Sequence, residues 1–330
     1  MSLQVMILSN HMFDVIKGDL EVLEEELLAA VAAPVELVTE VGTHLVQSGG
    51  KRLRPALCLL AARSGPQFDM KRTLPLAVAF ELIHMASLVH DDVLDESDTR
   101  RGAPTANAKW GNQVAILAGD YIFARAFDLI AGEGYGDHVS KRLAQLVCNL
   151  SLGEIVQDSA VYQASQGEAD YLDRIRKKTA DFLEICCELG AEVGGLPTAE
   201  QQKLAEYGHC IGMAFQITDD VLDIVQTTET LGKPAGNDIR QGIVTLPVIR
   251  ALEVSPEAEE LTAIVTDPEM TAEQVKRALE IIMATDGVDF ARDRAEEYLE
   301  RAKAALPEGL PRDVYEAYVM VADFIGGRDF

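Results

Sequence analysis

Residues 74–95 read LPLAVAFELIHMASLVHDDVLD, and residues 203–223 read KLAEYGHCIGMAFQITDDVLD. Each is a long apolar run with no strand-like alternation, and each ends in the same pentapeptide, Asp91–Asp95 and Asp219–Asp223. Runs of this length favour helix over strand. The surrounding chain is rich in Ala, Leu, Glu, Arg and Ile, and aromatic residues make up only 6% of it, which tilts the reading further toward helix. The expected fold is all-α.

Working outward, an amphipathic segment spans roughly 12–31, with Val15, Leu20, Leu23, Leu27 and Leu28 on one side. Pro34 breaks it, a second helix runs to about Gln47, and Ser48-Gly49-Gly50 stops that one before Lys51–Arg63 restarts. Thr99–Asn107 reads as a loop with Gly102 and Pro104 as breakers, and Thr228–Asn237 as another. Helices are expected over about 111–131, 138–164, 168–193 and 198–224, with four or five shorter ones from Val244 onward. No linker, low-complexity block or shift in composition interrupts the chain, so residues 1–330 are expected to form one helical domain.

Hydrophobic residues are 48% of the chain, enough for a substantial core, while 29 basic against 54 acidic residues give a net charge of −25. That balance excludes a nucleic-acid binder and charge-driven docking on anionic lipid. An acidic chain that binds a polyanion must neutralise it locally with clustered cations or metal ions. The five cysteines form no CxxC pair and read as reduced core residues. With no signal peptide and no apolar run near the ~20 residues of a membrane span, a soluble cytoplasmic protein is expected, without stable membrane insertion.

In a helix Asp91 and Asp95 point the same way about one turn apart, and Asp219 and Asp223 repeat the arrangement. Like charges so placed cost a helix roughly 0.2–0.5 kcal/mol, so something should compensate them. Mg2+ suits the task, because it takes carboxylate oxygens and shares its shell with substrate phosphates. Either block alone also fits a solvated acidic helix end; two copies at the ends of apolar helices point to a greasy cavity with an anionic mouth. Basic clusters stand nearby. Gly49-Gly50-Lys51-Arg52-Leu53-Arg54-Pro55 puts three cations on flexible backbone at a helix start, and Arg100-Arg101-Gly102 closely follows the first aspartate block.

The ordered set GGKRLRP, DDVLD, RRGAPT, GEIVQ, KTA, FQITDDVLD and GKP resembles the trans-isoprenyl (polyprenyl) diphosphate synthases, over about residues 43–250 by motif. The resemblance implies a single helical bundle around a deep central cavity (the isoprenoid synthase fold), usually a homodimer. It implies a 1'-4 condensation of isopentenyl diphosphate with an allylic prenyl diphosphate. Carried over by position, Asp91 and Asp95 would bind two Mg2+, and Asp219 with Asp223 a third. Arg100 would hold the allylic diphosphate, helped by Lys178 and Lys233. Lys51, Arg54, His84 and Arg101 would hold isopentenyl diphosphate, with Gly50 letting the backbone come close. Thr179 and Gln216, beside Lys178, would line the region where the allylic cation forms. One departure is Gly242-Ile243, where the family often has a lysine.

Ala86 and Ser87 stand five and four residues before Asp91, where short-chain members of the family often carry a bulky aromatic. Small residues there imply an open channel and a product longer than C20, a reading favoured over the alternative that they merely permit close helix packing. The competing readings are a short-chain (farnesyl or geranylgeranyl) synthase, a class I terpene cyclase, a non-catalytic partner subunit, and a helical calcium-binding or scaffold protein. The set Lys51, Arg54 and Arg101 favours elongation over cyclisation, since a cyclase has no second diphosphate to hold. The intact aspartate motifs disfavour a non-catalytic role. No EF-hand loop is present, and a scaffold would leave the basic clusters unexplained.

Overall fold

The computed structural model describes residues 11–225 and 235–327. Two compact units emerge, each assembled from separate stretches of chain, so neither is a simple N- or C-terminal piece. One takes the residues up to Val147, then Ile185–Ala205 and Pro307–Tyr318; the other takes Cys148–Glu184, Glu206–Leu306 and the residues from Val319 on.

In the first unit a short 3-10 turn, His11–Ile16, leads into α1 (Lys17–Ala30), α2 (Glu36–Gln47), α3 (Leu53–Arg63) and α4 (Met70–Leu94). Every residue of Pro55–Ala62 in α3 and of Leu76–Ile83 in α4 is buried, so both helices are covered on all sides. That is why α4 carries a near-continuous apolar run and no polar stripe. It begins at Met70, four residues earlier than the apolar run, because Asp69 caps it by accepting from the Lys71 N–H at 3.0 Å. Among the described residues, α4 alone is long and apolar enough to cross a membrane. The expectation that no run reaches that length is corrected, but 67% of its most apolar window is buried inside the protein.

The stretch after α4 is not merely a loop. Thr99–Arg100 pairs antiparallel with Ala103–Pro104, a two-stranded hairpin (β1 and β2). Arg101 and Gly102 form its turn, both at positive φ (54° and 77°), as a tight two-residue hairpin requires. Then come α5 (Ala106–Trp110), capped by the Thr105 hydroxyl, and α6 (Asn112–Ala131), which lies along α4. Next, α7 (Asp137–Ser159) ends five residues short of the expected 164.

The second unit contains α8 (Glu168–Ile175), a π-helical turn at Arg176–Ala180, and parts of α9 (Asp181–Val193) and α10 (Thr198–Val225). The expected single helix over 168–193 is therefore interrupted at Lys178-Thr179 by a turn wider than an α-helix. After the short α11 (Asn237–Arg240) come α12 (Leu246–Val254), α13 (Ala258–Val265), α14 (Ala272–Met283), α15 (Gly287–Ala305) and α16 (Arg312–Gly326). Tyr171, Ile175, Met213, Ile217, Val221, Leu246 and Ile281 belong to this unit's core.

Candidate active site

In the first unit the GGKRLRP segment, the end of α4 and the β1–β2 hairpin meet. Arg52 adopts a left-handed backbone (φ 48°) and turns its side chain inward. Its Nε donates to Glu24 at 2.6 Å, Nη1 to Glu81 at 2.7 Å, and Nη2 to the Val46 carbonyl at 2.8 Å. One of the three clustered cations is thus a buried anchor, paired with carboxylates of α1 and α4. Lys51 stays exposed and Arg54 half-buried. Burial lowers the Arg54 pKa, with Glu81 opposing that shift.

Arg101 donates to the Gly49 carbonyl, and a Cβ on Gly50 would lie 2.5 Å from its Nη1. At Gly50 the Arg101 guanidinium occupies the space that a side chain would take, so a larger residue there would push the guanidinium aside. Arg100 Nε donates to Asp92 at 2.6 Å, so the buried second aspartate of the first motif holds the arginine. His84 is half-buried, and its pKa sits well below the usual imidazole value through burial, then through Arg54, Arg101, Arg100 and Arg52. A neutral imidazole ringed by cations can donate one hydrogen bond to an anion without adding charge.

These residues line a cleft with about 480 Å3 of empty space, partly open to solvent, bounded by Arg52, Glu81, His84, Arg100 and Arg101. Asp91 is half-buried on the last turn of α4, and Asp95 is its exposed C-cap. Ala86 is completely buried, while Ser87 is half-buried and donates to the His84 carbonyl at 2.9 Å.

In the second unit the π turn presents Lys178 and Thr179. Lys178 Nζ lies 3.1 Å from Glu154 and donates to Gln157 at 3.2 Å, and Gln157 in turn donates to Glu154 at 3.1 Å. The GEIVQ stretch, which had no role in the sequence, thus holds the lysine. Thr179 donates to Gln216 Oε1 at 2.8 Å, and Gln216 Nε2 donates to Asp220 at 2.9 Å. Gly212, one turn before Gln216, makes the approach possible: a Cβ there would lie 2.5 Å from the Ala180 Cα.

The fully buried Tyr171 donates to the other oxygen of Asp220 at 2.8 Å. Burial raises the Asp220 pKa to about 6, against the pull of Gln216, Tyr171 and Arg174. Asp219 and Asp223 are half-buried. The Asp223 carboxylate caps α11, accepting from the N–H groups of Asn237 (3.2 Å) and Asp238 (3.0 Å). Burial, then Asp220 and Asp223, push the Asp238 carboxyl well above its usual range. Carboxylates that raise one another's pKa form a site whose repulsion a bound cation relieves, so this donor set fits a divalent metal.

Within the first unit the structure brings together Gly50, His84, Arg100 and Arg101; within the second, Lys178 adjoins Thr179, which bonds Gln216. Lys233 lies outside the described residues. The sequence reading missed Asp92, Glu154, Gln157, Tyr171, Asp220 and Asp238, as well as the anchoring role of Arg52. Asp92 and Asp220 stood in plain view as second residues of the two motifs, and Asp238 follows GKP closely. A separate trio, Asp181, Glu184 and His209, has ligand atoms within 4.8 Å of one another. Asp181 there already accepts from Arg176 at 3.1 Å and Asn149 at 3.0 Å, which makes it part of an ion-pair network.

The family model described as polyprenyl synthetase matches residues 35–282. The chain is 43% identical over 322 residues to the heptaprenyl diphosphate synthase component 2 of Geobacillus stearothermophilus, covering 97% of this chain and 98% of that one. It is 39% identical to an all-trans-nonaprenyl-diphosphate synthase (geranyl-diphosphate specific) of Rhodobacter capsulatus, covering 90% of each. Among solved structures, a polyprenyl synthase from Caulobacter crescentus, complexed with calcium and isoprenyl diphosphate, superposes with a TM-score of 0.89. It is 35% identical, with 96% of this chain and 97% of that chain covered.

Proposed function

The chain belongs to the polyprenyl synthetase family, and from that premise we propose that it joins isopentenyl diphosphate to an allylic prenyl diphosphate, 1'-4 and head to tail, giving an all-trans polyprenyl diphosphate longer than C20. The observation that carries the reading is the cation-lined cleft of the first unit. Arg52 is spent on Glu24 and Glu81, while Arg100, Arg101 and the neutral His84 line the cleft where a diphosphate would be received. A product beyond C20 is supported by the hepta- and nonaprenyl relatives.

Asp91 and Asp95 would hold two Mg2+ and Asp219 with Asp223 a third, and the ions would neutralise the allylic diphosphate as its C–O bond ionises. The remaining work falls to the chain. Arg100, oriented by Asp92, holds that diphosphate, helped by Lys178 from its perch on Glu154 and Gln157. The oxygens of Thr179 and Gln216 face the developing cation as fixed dipoles, stabilising it without trapping it. Apolar walls exclude water, which would quench the cation to an alcohol. Pyrophosphate, once released, takes the final proton, so no side-chain base is needed.

The protein is proposed to work in the cytoplasm as a homodimer; Leu117 and Ile116, 60% and 42% exposed on α6, are apolar surface suited to such a contact. A second reading, in which a different subunit must join this chain, draws on the relative designated component 2. The test is incubation of the purified chain with labelled isopentenyl diphosphate and each of the C5, C10, C15 and C20 allylic primers. Products beyond C20 are expected in Mg2+. No product from the chain alone would favour the two-subunit reading, and turnover in excess EDTA would overturn the metal assignment.

A further inference from the structure

Tyr171 and Asp220 end a chain of hydrogen bonds whose directions chemistry dictates. A carboxylate only accepts. Both groups facing Asp220 must therefore donate: the Tyr171 hydroxyl at 2.8 Å and the Gln216 amide nitrogen at 2.9 Å. With Nε2 committed to Asp220, the Gln216 carbonyl oxygen faces the other way and accepts the only hydroxyl proton of Thr179, at 2.8 Å. Thr179 then has nothing but lone pairs to offer elsewhere.

We propose that Tyr171 and Asp220 are positioning residues that lock the Gln216 amide in one of its two orientations, so that Thr179 presents lone pairs, not a proton, to the allylic cation. The inference rests on the placement of Thr179 beside that cation. An unlocked Gln216 can rotate by half a turn and donate Nε2–H to Thr179 Oγ1. That consumes a lone pair and turns the hydroxyl proton toward the developing positive charge. The relay is well shielded: Tyr171 has 0% of its surface exposed, and Asp220 and Thr179 6% each. In such surroundings dipole orientation matters more than at a wet surface.

Tyr171→Phe keeps the ring and removes one of the two donors that hold the Asp220 carboxylate in place, which loosens the lock. It is expected to lower kcat about tenfold, the worth of one well-placed hydrogen bond, with KM for both diphosphates unchanged. The decisive measurement is a double-mutant cycle with Thr179→Val, which removes the group being oriented. In the Thr179→Val background, Tyr171→Phe should change kcat by less than about twofold. An equal tenfold loss in both backgrounds would mean that Tyr171 acts independently of Thr179, and the proposal fails. If Thr179→Val alone leaves kcat intact, the placement of Thr179 at the cation is wrong, and the proposal falls with it. Should Tyr171→Phe not fold, Asp220→Leu serves instead. It leaves Gln216 with no acceptor on that side, so it must reproduce the kcat loss and the non-additivity at saturating Mg2+; additive losses would again overturn the proposal.

Discussion

Replacing Arg52 with methionine should destabilise the protein more than removing either of its neighbours in the GGKRLRP segment. The Arg52 side chain is 1% exposed and bridges Glu81, 3% exposed, and Glu24, 31% exposed, besides donating to the Val46 carbonyl. Methionine fills much of the volume but leaves the Glu81 carboxylate buried without its guanidinium. Loss of one member of a buried pair costs about 3–5 kcal/mol. The half-buried Glu24 pairing, in partial contact with solvent, adds only ~0–1 kcal/mol. At a few degrees per kcal/mol, the melting temperature should fall by roughly 6–12 °C.

Because Arg52 stands between Lys51 and Arg54, KM for isopentenyl diphosphate should rise in the same variant. The assay is thermal unfolding by circular dichroism, alongside initial rates. Arg52→Met/Glu81→Leu is the control: removing both charges should recover most of the lost stability, since the cost lies in the orphaned carboxylate. A melting temperature for Arg52→Met within about 2 °C of the parent would refute the anchoring argument. So would a double variant less stable than Arg52→Met alone.

Asp91→Ala should abolish turnover while leaving the helical circular dichroism signal intact; a near-normal rate would remove Asp91 from the metal site. Gly212→Ala places a methyl group against the Ala180 backbone, where over-packing costs about 1–3 kcal/mol. It should lower kcat more than it raises KM by pushing the π turn away from Gln216, and unchanged kinetics would show that the close approach is incidental. Ala86→Phe should shorten the product, read by chromatography of the dephosphorylated chains. Since Ala86 is fully buried, the ring must also repack α4, and a lower melting temperature is expected with it. An unchanged product length would move the floor of the channel to other residues.

The helices were legible because apolar spacing reports helix directly, and five short helices do follow Val244, as their breakers implied. The aspartate motifs were legible because a repeated pentapeptide is improbable by chance. The hairpin was not, since two residues per strand leave no alternation to read. Asp92 and Asp220 escaped for a geometric reason. Each follows a supposed metal-binding aspartate by one position, about 100° around the helix, so it faces different neighbours from the residue before it. Those neighbours, Arg100 on the hairpin and Tyr171 on α8, are brought there by tertiary structure alone. Arg52 escaped because counting cations treats all three alike, whereas Glu24 and Glu81, remote in sequence, select only one.

Several of the functional groups stand where regular helix fails. Arg52 is left-handed, the Arg101-Gly102 turn is at positive φ, and Lys178 and Thr179 ride a π turn. Each irregularity does what an ideal helix cannot. A left-handed residue before α3 turns Arg52 into the core while Lys51 beside it stays exposed; an unbroken helix would fan successive side chains around one axis. The π turn widens α8 so that Thr179 reaches Gln216, and Gly212 clears the space that this widening needs. The residues forming these breaks, RLRP and RKKTA, include good helix formers, so local preference is overridden by packing. Such overrides are costly and persist where surrounding structure enforces them. In this chain the enforcing contacts are specific: Glu24 and Glu81 on Arg52, Gly49 on Arg101, and Gly212 on Ala180. Substitution of those enforcing residues should therefore damage activity even though none of them need touch a substrate.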